Sequence, residues 1–305
     1  MIAIIAGGTG SVKLVRGLAR LQDAAVIANV GDNIWLHGLY VCPDVDTVVY
    51  GLGGMLDEER GWGVKGDTFS FLDQAKKSGV DAWFALGDRD LAMHVLRTQM
   101  LARGRTLTQV TAHFAKAYGI RSRILPASDD ETFTIISTDA GDMHLQEFWV
   151  KNACRPKVKG VRYSGIKSAR ATSQVLDAIK SADRIVIAPG NPVSSIGPTL
   201  AIKGVKKALA RRRKDVVAVS PLIGRQAVSG PAVKYMATLG IEASPAGVAE
   251  FYSDVAGSVV IDSRDAGTSA RIRRLGVEVH ETNITMRTRS DEVRLGRYLL
   301  RKSAN

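Results

Sequence analysis

Residues 1–10 read MIAIIAGGTG, and residues 11–21 continue SVKLVRGLARL. The apolar run Ile2–Ala6 is short and unbroken, the pattern of a buried strand. Gly7, Gly8 and Gly10 then turn the chain, and Leu14, Val15, Leu18 and Leu21 recur at helical spacing. A helix that starts on such a turn points its free N–H groups back at it, and its dipole places positive charge there. Gly8, Thr9 and Gly10, with Lys13 close behind, therefore suit a phosphate group. A plain structural turn is the competing reading. The dinucleotide fingerprint lacks its third glycine here, and Lys13 lacks the spacing and following Ser or Thr of a Walker loop.

Outward from this turn, AAVIAN at 24–29 completes a β-α-β unit. RIVIAPG at 184–190, DVVAVSP at 215–221 and GSVVIDS at 257–263 carry the near-continuous Val/Ile content of parallel strands covered on both faces. The expected fold is α/β: a Rossmann-like parallel sheet flanked by helices. Residues 52–150 read as a mainly helical insertion lobe, with helices over 70–78, 88–103 and 106–118 and strand-like pieces around 133–137 and 143–149. Without an internal repeat or a long linker, residues 1–305 read as one domain.

At 305 residues and 45% hydrophobic content, the chain can bury a full core. No stretch has the roughly 18 apolar residues of a membrane helix, and the first apolar run lacks a basic leader, so a cytoplasmic protein is expected. Cys42 and Cys154 have no C-x-x-C or Cys/His neighbours and read as packing residues of a reducing compartment. Residues 1–152 carry 15 Lys+Arg against 18 Asp+Glu, whereas residues 153–305 carry 27 against 12. That basic half favours anionic ligands. Its clusters Arg211-Arg212-Arg213-Lys214 and Arg271, Arg273, Arg274 read as helix ends, because no aromatic interleaving suggests nucleic acid.

Ligands of open α/β sheets bind beyond the carboxyl ends of strands, and several polar clusters fall there. They include Asn29-Val30-Gly31-Asp32-Asn33 and Pro43-Asp44-Val45-Asp46-Thr47. Asp44 and Asp46 can hold a magnesium ion or accept the proton of an attacking hydroxyl, or they can cap a helix. Gly87-Asp88-Arg89-Asp90 heads a helix containing His94 and Arg97; its acids fit capping, its arginine a polar ligand, and His94 a helix face. Ser128-Asp129-Asp130 fits a metal site or a turn equally. Asn191, Ser194 and Ser195, in PGNPVSSIGP at 189–198, make a second phosphate- or base-contacting turn. Ser220–Gly224 and Ser229–Ala232 repeat the strand-then-glycine logic.

These motifs occur in a particular order: GGTGSVKLVRGL (7–18), NVGDNIW (29–35), PDVDTVVYGL (43–52), GVKGDTF (63–69), LGDRDLAMHVLR (86–97), LPASDDE (125–131), LQEFWV (145–150), PGNPVSSIGP, VAVSPLIG (217–224), AVSGPA (227–232) and GVAEFY (247–252). Together they resemble the CofD family, the 2-phospho-lactate transferases of deazaflavin coenzyme F(420) biosynthesis. The related YvcK-like regulatory proteins, which bind nucleotide sugars, share only the GGTG and PGNP-type turns in outline. The resemblance implies transfer of a substituted phosphate from a guanosine-diphospho-linked three-carbon acid to the ribityl hydroxyl of the deazaflavin FO. GMP is released, magnesium is the cofactor, and a homodimer is the expected assembly. It further implies that Asp46 and Arg89 contact FO, with Asp46 orienting or deprotonating the hydroxyl. Gly8, Thr9, Gly10, Lys13, Asn191, Ser194 and Ser195 would contact the nucleotide, and Asp44 and Asp46 the metal. Many relatives read PSNP where this chain has Pro189-Gly190-Asn191-Pro192. The acid, whether lactate, enolpyruvate or glycerate, differs by too small a group to be read from sequence.

Overall fold

The computed structural model describes residues 1–227 and 232–301, so the expected turn at Ser229–Pro231 lies outside the described residues. Seven parallel strands form the centre: β1 (Ile2–Ala6), β2 (Ala24–Ala28), β3 (Arg123–Pro126), β4 (Arg184–Ile187), β5 (Val216–Val219), β6 (Ser258–Asp262) and β7 (Glu278–Thr282). Their order across the sheet is β3-β2-β1-β4-β5-β6-β7. Every residue of β1, β2, β4, β5 and β6 is buried, which explains their apolar composition. Strand order reverses direction between β1 and β4, and the crevice beyond their carboxyl ends is where such sheets bind ligands. The turns Gly7–Gly10 and Pro189–Ser195 follow these two strands.

Helix α1 (Thr9–Ala19) returns the chain from β1 and packs on α2 (Pro43–Leu52) and on the C-terminal helix Arg289–Arg301. The closeness of that last contact depends on glycine. A Cβ on Gly17 would lie 2.2 Å from the Glu292 carbonyl oxygen, and Gly296 faces the Gly17 backbone in turn. Beside them Arg16 places Nε 3.1 Å from Glu292 Oε2 and Nη2 on Oε1, a buried two-bond ion pair joining the chain's first and last helices.

Between β2 and β3 lie α3 (Ser70–Lys77), α4 (Asp88–Ala102) and α5 (Leu107–Ala117), close to the three expected helices. The 123–126 segment, expected within the lobe, instead pairs with β2 as the sheet's edge strand. Its Ile124, Leu125 and Pro126 are buried as a core strand's would be. Phe133–Thr138 pairs with Gly141–His144 and Val158–Ser164 in a separate antiparallel sheet, while Glu147–Lys151 forms a π-helical turn rather than continuing a strand. β7 is an edge strand with only Val279 and His280 buried, so its apolar signal was weak. Among the described residues, no helix is long and apolar enough to cross a membrane.

The arginine cluster at 211–214 resolves into structure. Arg212 directs Nη1 and Nη2 to the carbonyls of Ile179, Lys180 and Ala182 and Nε to Asp215, and Arg213 reaches the Ser253 and Gly276 carbonyls. They satisfy carbonyls left over at helix ends and turns.

Candidate active site

A cavity of about 350 Å³ opens at the strand-order reversal, lined by Gly8, Thr9, Gly10, Ser11, Asp44, Asp46, Asn191, Ser194 and Ser195 among others. Two turns, from opposite sides of the β1/β4 seam, thus meet in one crevice. Two glycines of the first are required by close approach. A Cβ on Gly7 would stand 2.5 Å from Ser195 Cβ, and one on Gly8 2.3 Å from Asp44 Oδ1. Gly8 caps α1 through its carbonyl, which accepts from Ser11 and Val12 N–H. In the second turn Asn191 Oδ1 accepts from the N–H groups of Val193 and Ser194 at 2.9 and 3.4 Å, leaving its amide N–H₂ as the group able to donate to a ligand.

Two groups of buried carboxylates share the floor. In the first, Asn29 Nδ2 lies 2.9 Å from both Asp32 Oδ1 and Asp44 Oδ2 and 3.2 Å from the Ser194 carbonyl. One amide thus stands between two acids. Burial, opposed by bonds from Asn29 and the Gly8 N–H, pushes the Asp44 carboxyl up to about 6. Burial and then the neighbouring Asp44 charge raise Asp32 well above the usual carboxylate range. The sign for stability follows: the native state binds protons more tightly than the unfolded chain between about pH 4 and 6, so stability falls as pH rises through that window. Asp44→Asn flattens this slope, and thermal midpoints measured from pH 4 to 7 check it; parallel slopes in the two proteins would contradict it.

The second group centres on Asp46. Arg97, 2% exposed on α4, grips it through both Nη atoms and also donates from Nη1 to the Tyr40 carbonyl at 3.2 Å. Burial raises the Asp46 carboxyl, with Arg97 and then His94 opposing. Arg97 Nη1 lies 3.1 Å from His94 Nδ1 and can only donate, so the neutral ring carries its proton on Nε2. That nitrogen is 3.1 Å from Asp90 Oδ1, a close polar contact without well-directed hydrogen-bond geometry. Asp90 also accepts from the Tyr50 hydroxyl at 2.5 Å. Burial would raise its carboxyl, but His94, Tyr50 and Arg97 together hold it below the usual range.

The structure separates residues that the sequence groups together. Lys13 donates to the Met286 carbonyl at 3.1 Å, outside the cavity lining: it stands a full turn further along α1 than Thr9, away from the helix N-terminus, where its ammonium reaches the C-terminal segment. Arg89 likewise falls outside: it lines a neighbouring cavity with Lys65, Tyr50, Met55 and Tyr118, while its helix neighbour Asp90 faces the main one. Consecutive helical residues project about 100° apart. Asp44 and Asp46 both line the cavity, but in different networks. Asp46 already faces the Arg97 cation, and Asp44's charged neighbour is Asp32 rather than Asp46. Neither is the cap of α2, which is Cys42, with Pro43 at the first helical position.

Capping does account for Asp88 and for Ser128–Asp130. Asp88 accepts from the Ser70 and Phe71 N–H groups at the start of α3, and Asp67 reciprocates by accepting from the Arg89 and Asp90 N–H groups at the start of α4. Asp129 accepts from the Thr108 N–H of α5, and Asp130 from the Arg170 N–H. The sequence reading assigned no site role to Asn29, Asp32, Arg97, Arg60, Trp62 or Gln146. The LGDRD-to-Arg97 spacing was the one signal for Arg97, since His94 and Arg97 share a helix face with Asp90.

A family model described as 2-phospho-L-lactate transferase CofD matches residues 2–295. The chain belongs to the CofD family. A CofD relative from Methanopyrus kandleri named 2-phospho-L-lactate transferase is 41% identical over 305 residues, covering 98% of this chain and 96% of the relative. One from Methanococcoides burtonii with the same name is 39% identical over 288 residues, 93% and 94% of the two chains. A Streptomyces griseus protein named phosphoenolpyruvate transferase is 40% identical over 294 residues, 93% and 92% of the two chains. The chain is thus a member of an enzyme family of transferases, consistent with coenzyme F(420) biosynthesis. A solved structure from Bacillus halodurans, of the UPF0052 family, superposes with TM-score 0.64 at 18% identity over 98% of both chains, which establishes the shared α/β fold alone.

Proposed function

We propose that this CofD protein joins the ribityl hydroxyl of FO to the phosphate of a guanosine-diphospho-linked three-carbon acid and releases GMP. The observation that carries the reading is the convergence of two backbone turns and the buried Asp46 on one crevice at the strand-order reversal. The hydroxyl oxygen attacks the phosphorus bearing the acid, the bond from that phosphorus to the GMP oxygen breaks, and the hydroxyl proton leaves. Asp46 accepts that proton and holds the hydroxyl in line, with Arg97 fixing its two oxygens. The α1 N-terminus, Thr9 and the Asn191 amide take the diphosphate, and charge spread over phosphate oxygens is what such a site must stabilise.

Magnesium fits this chain at Asp32 and Asp44, two buried acids facing one another across the Asn29 amide, with no ion-pair partner among the described residues. It fits poorly on Asp46, which Arg97 already neutralises. When bound, the ion supplies positive charge against the diphosphate.

The test combines purified protein, magnesium and FO with each of the lactate, enolpyruvate and glycerate donors. GMP and a deazaflavin phosphodiester are expected from at least one. Relatives named for lactate and for phosphoenolpyruvate transfer stand at nearly equal identity, so only this comparison assigns the donor. No turnover with all three, or no change in FO fluorescence on titration with protein, defeats the reading.

A further inference from the structure

Among the described residues lining the main cavity, four are aspartates, Asp32, Asp44, Asp46 and Asp90, and Arg60 is the one lysine or arginine. A cavity floored by acids needs cations at its mouth to admit an anionic ligand. Arg60 is held in place by its neighbours. Its Nε donates to Asp57 Oδ2 at 2.9 Å, and its guanidinium carbon lies 5.4 Å from the Trp62 ring centre and 5.2 Å from that of Phe69. These contacts fix the stem and the plane and engage Nε, while the two Nη groups make no hydrogen bond among the described residues. The loop that carries it is anchored at the glycine turn, where Thr9 Oγ1 donates to the Gly61 carbonyl at 3.0 Å. Arg60 therefore stands beside the N-terminus of α1, so that side-chain and backbone donors face the same end of the crevice.

We propose that Arg60 is a phosphate-binding residue, whose Nη fork grips the nucleotide diphosphate beside the Gly8–Gly10 turn. The inference rests on the nucleotide-donor reading above and adds to it the residue that sets phosphate affinity. Two parallel donors match phosphate oxygens in a way a lysine ammonium does not. The aromatic rings keep the guanidinium in place before the ligand arrives, which lowers the ordering cost of binding.

The experiment titrates guanosine, GMP and GDP into wild-type protein, Arg60→Met and Arg60→Lys, by calorimetry in magnesium buffer, with FO titrated separately by fluorescence. Methionine keeps an unbranched stem over the two rings. GDP affinity is expected to fall about 10–100-fold in Arg60→Met, the range of a lost charge-assisted contact. Arg60→Lys recovers part of it, and guanosine and FO affinities stay within twofold of wild type. GDP affinity unchanged in Arg60→Met overturns the assignment. An equal loss for guanosine also overturns it, because Arg60 would then only brace the loop. Wild-type protein that ignores GDP altogether defeats the nucleotide-donor reading itself, and this inference with it.

Discussion

Asp46→Asn lowers kcat by about 10²–10⁴-fold, the usual worth of a positioned proton acceptor. The amide keeps the shape of the side chain but cannot take the hydroxyl proton. Both replacements remove the charge facing Arg97, but alanine is the less informative one, because it also removes the acceptor oxygen and leaves a void in the core. Removing one partner of a buried pair costs about 3–5 kcal/mol, so Asp46→Ala would lose stability and turnover together. A double variant, Asp46→Leu with Arg97→Met, separates the two effects. It removes both charges, so its urea midpoint should return toward wild type while turnover stays low. Wild-type kcat in Asp46→Asn would reduce the residue to a structural ion-pair partner.

Glu292→Ala destabilises the protein by about 3–5 kcal/mol, because it leaves the Arg16 guanidinium buried without its main counter-charge. Glu58 and Arg289 lie on the rim of the same network, with Glu58 near both arginines. Glu58 is half-exposed, however, and its contacts are screened by solvent. Urea unfolding of Glu292→Ala, compared with the double variant Arg16→Met/Glu292→Leu, checks the cause. The double variant should recover most of the loss, since burying two apolar side chains in place of an ion pair is often neutral. A loss below about 1 kcal/mol in the single variant would place this pair with surface bridges. The fold makes the larger value the expected one: both members of the pair are buried where Gly17 and Gly296 bring the two helix backbones together.

The same contrast between pattern and position explains which site residues were legible in sequence. Gly8, Thr9, Gly10, Asn191, Ser194 and Ser195 follow the two strands that flank the order reversal, so a strand followed by a polar glycine turn was enough to nominate them. They do line one cavity. Lys13 was nominated by its nearness to the glycine turn, but a full helical turn carries it away from the α1 N-terminus; Arg89, nominated through the family motif, lines the neighbouring cavity. Arg97 and Asn29 were missed for the complementary reason. A buried arginine acquires meaning only from the acid brought to it, and Asp46 is 51 residues away in sequence. Asn29 gains its role by standing between Asp32 and Asp44, which belong to separate elements.

By itself the sequence determined the α/β class, five of the seven strands of the sheet, the glycine turn that opens α1 and the family to which the chain belongs. These follow from local regularities: apolar runs, helical spacing, glycines where backbones must touch, and an ordered series of motifs. The tertiary structure alone decided the strand order, the meeting of the two turns, the pairing of Asp46 with Arg97 and of Asp44 with Asp32, and the place of Arg60 in the cavity lining. Charge and hydrogen bonding in a buried site depend on distances of a few ångströms between residues far apart along the chain. Those distances are set by how helices and strands pack, which no local stretch of sequence encodes.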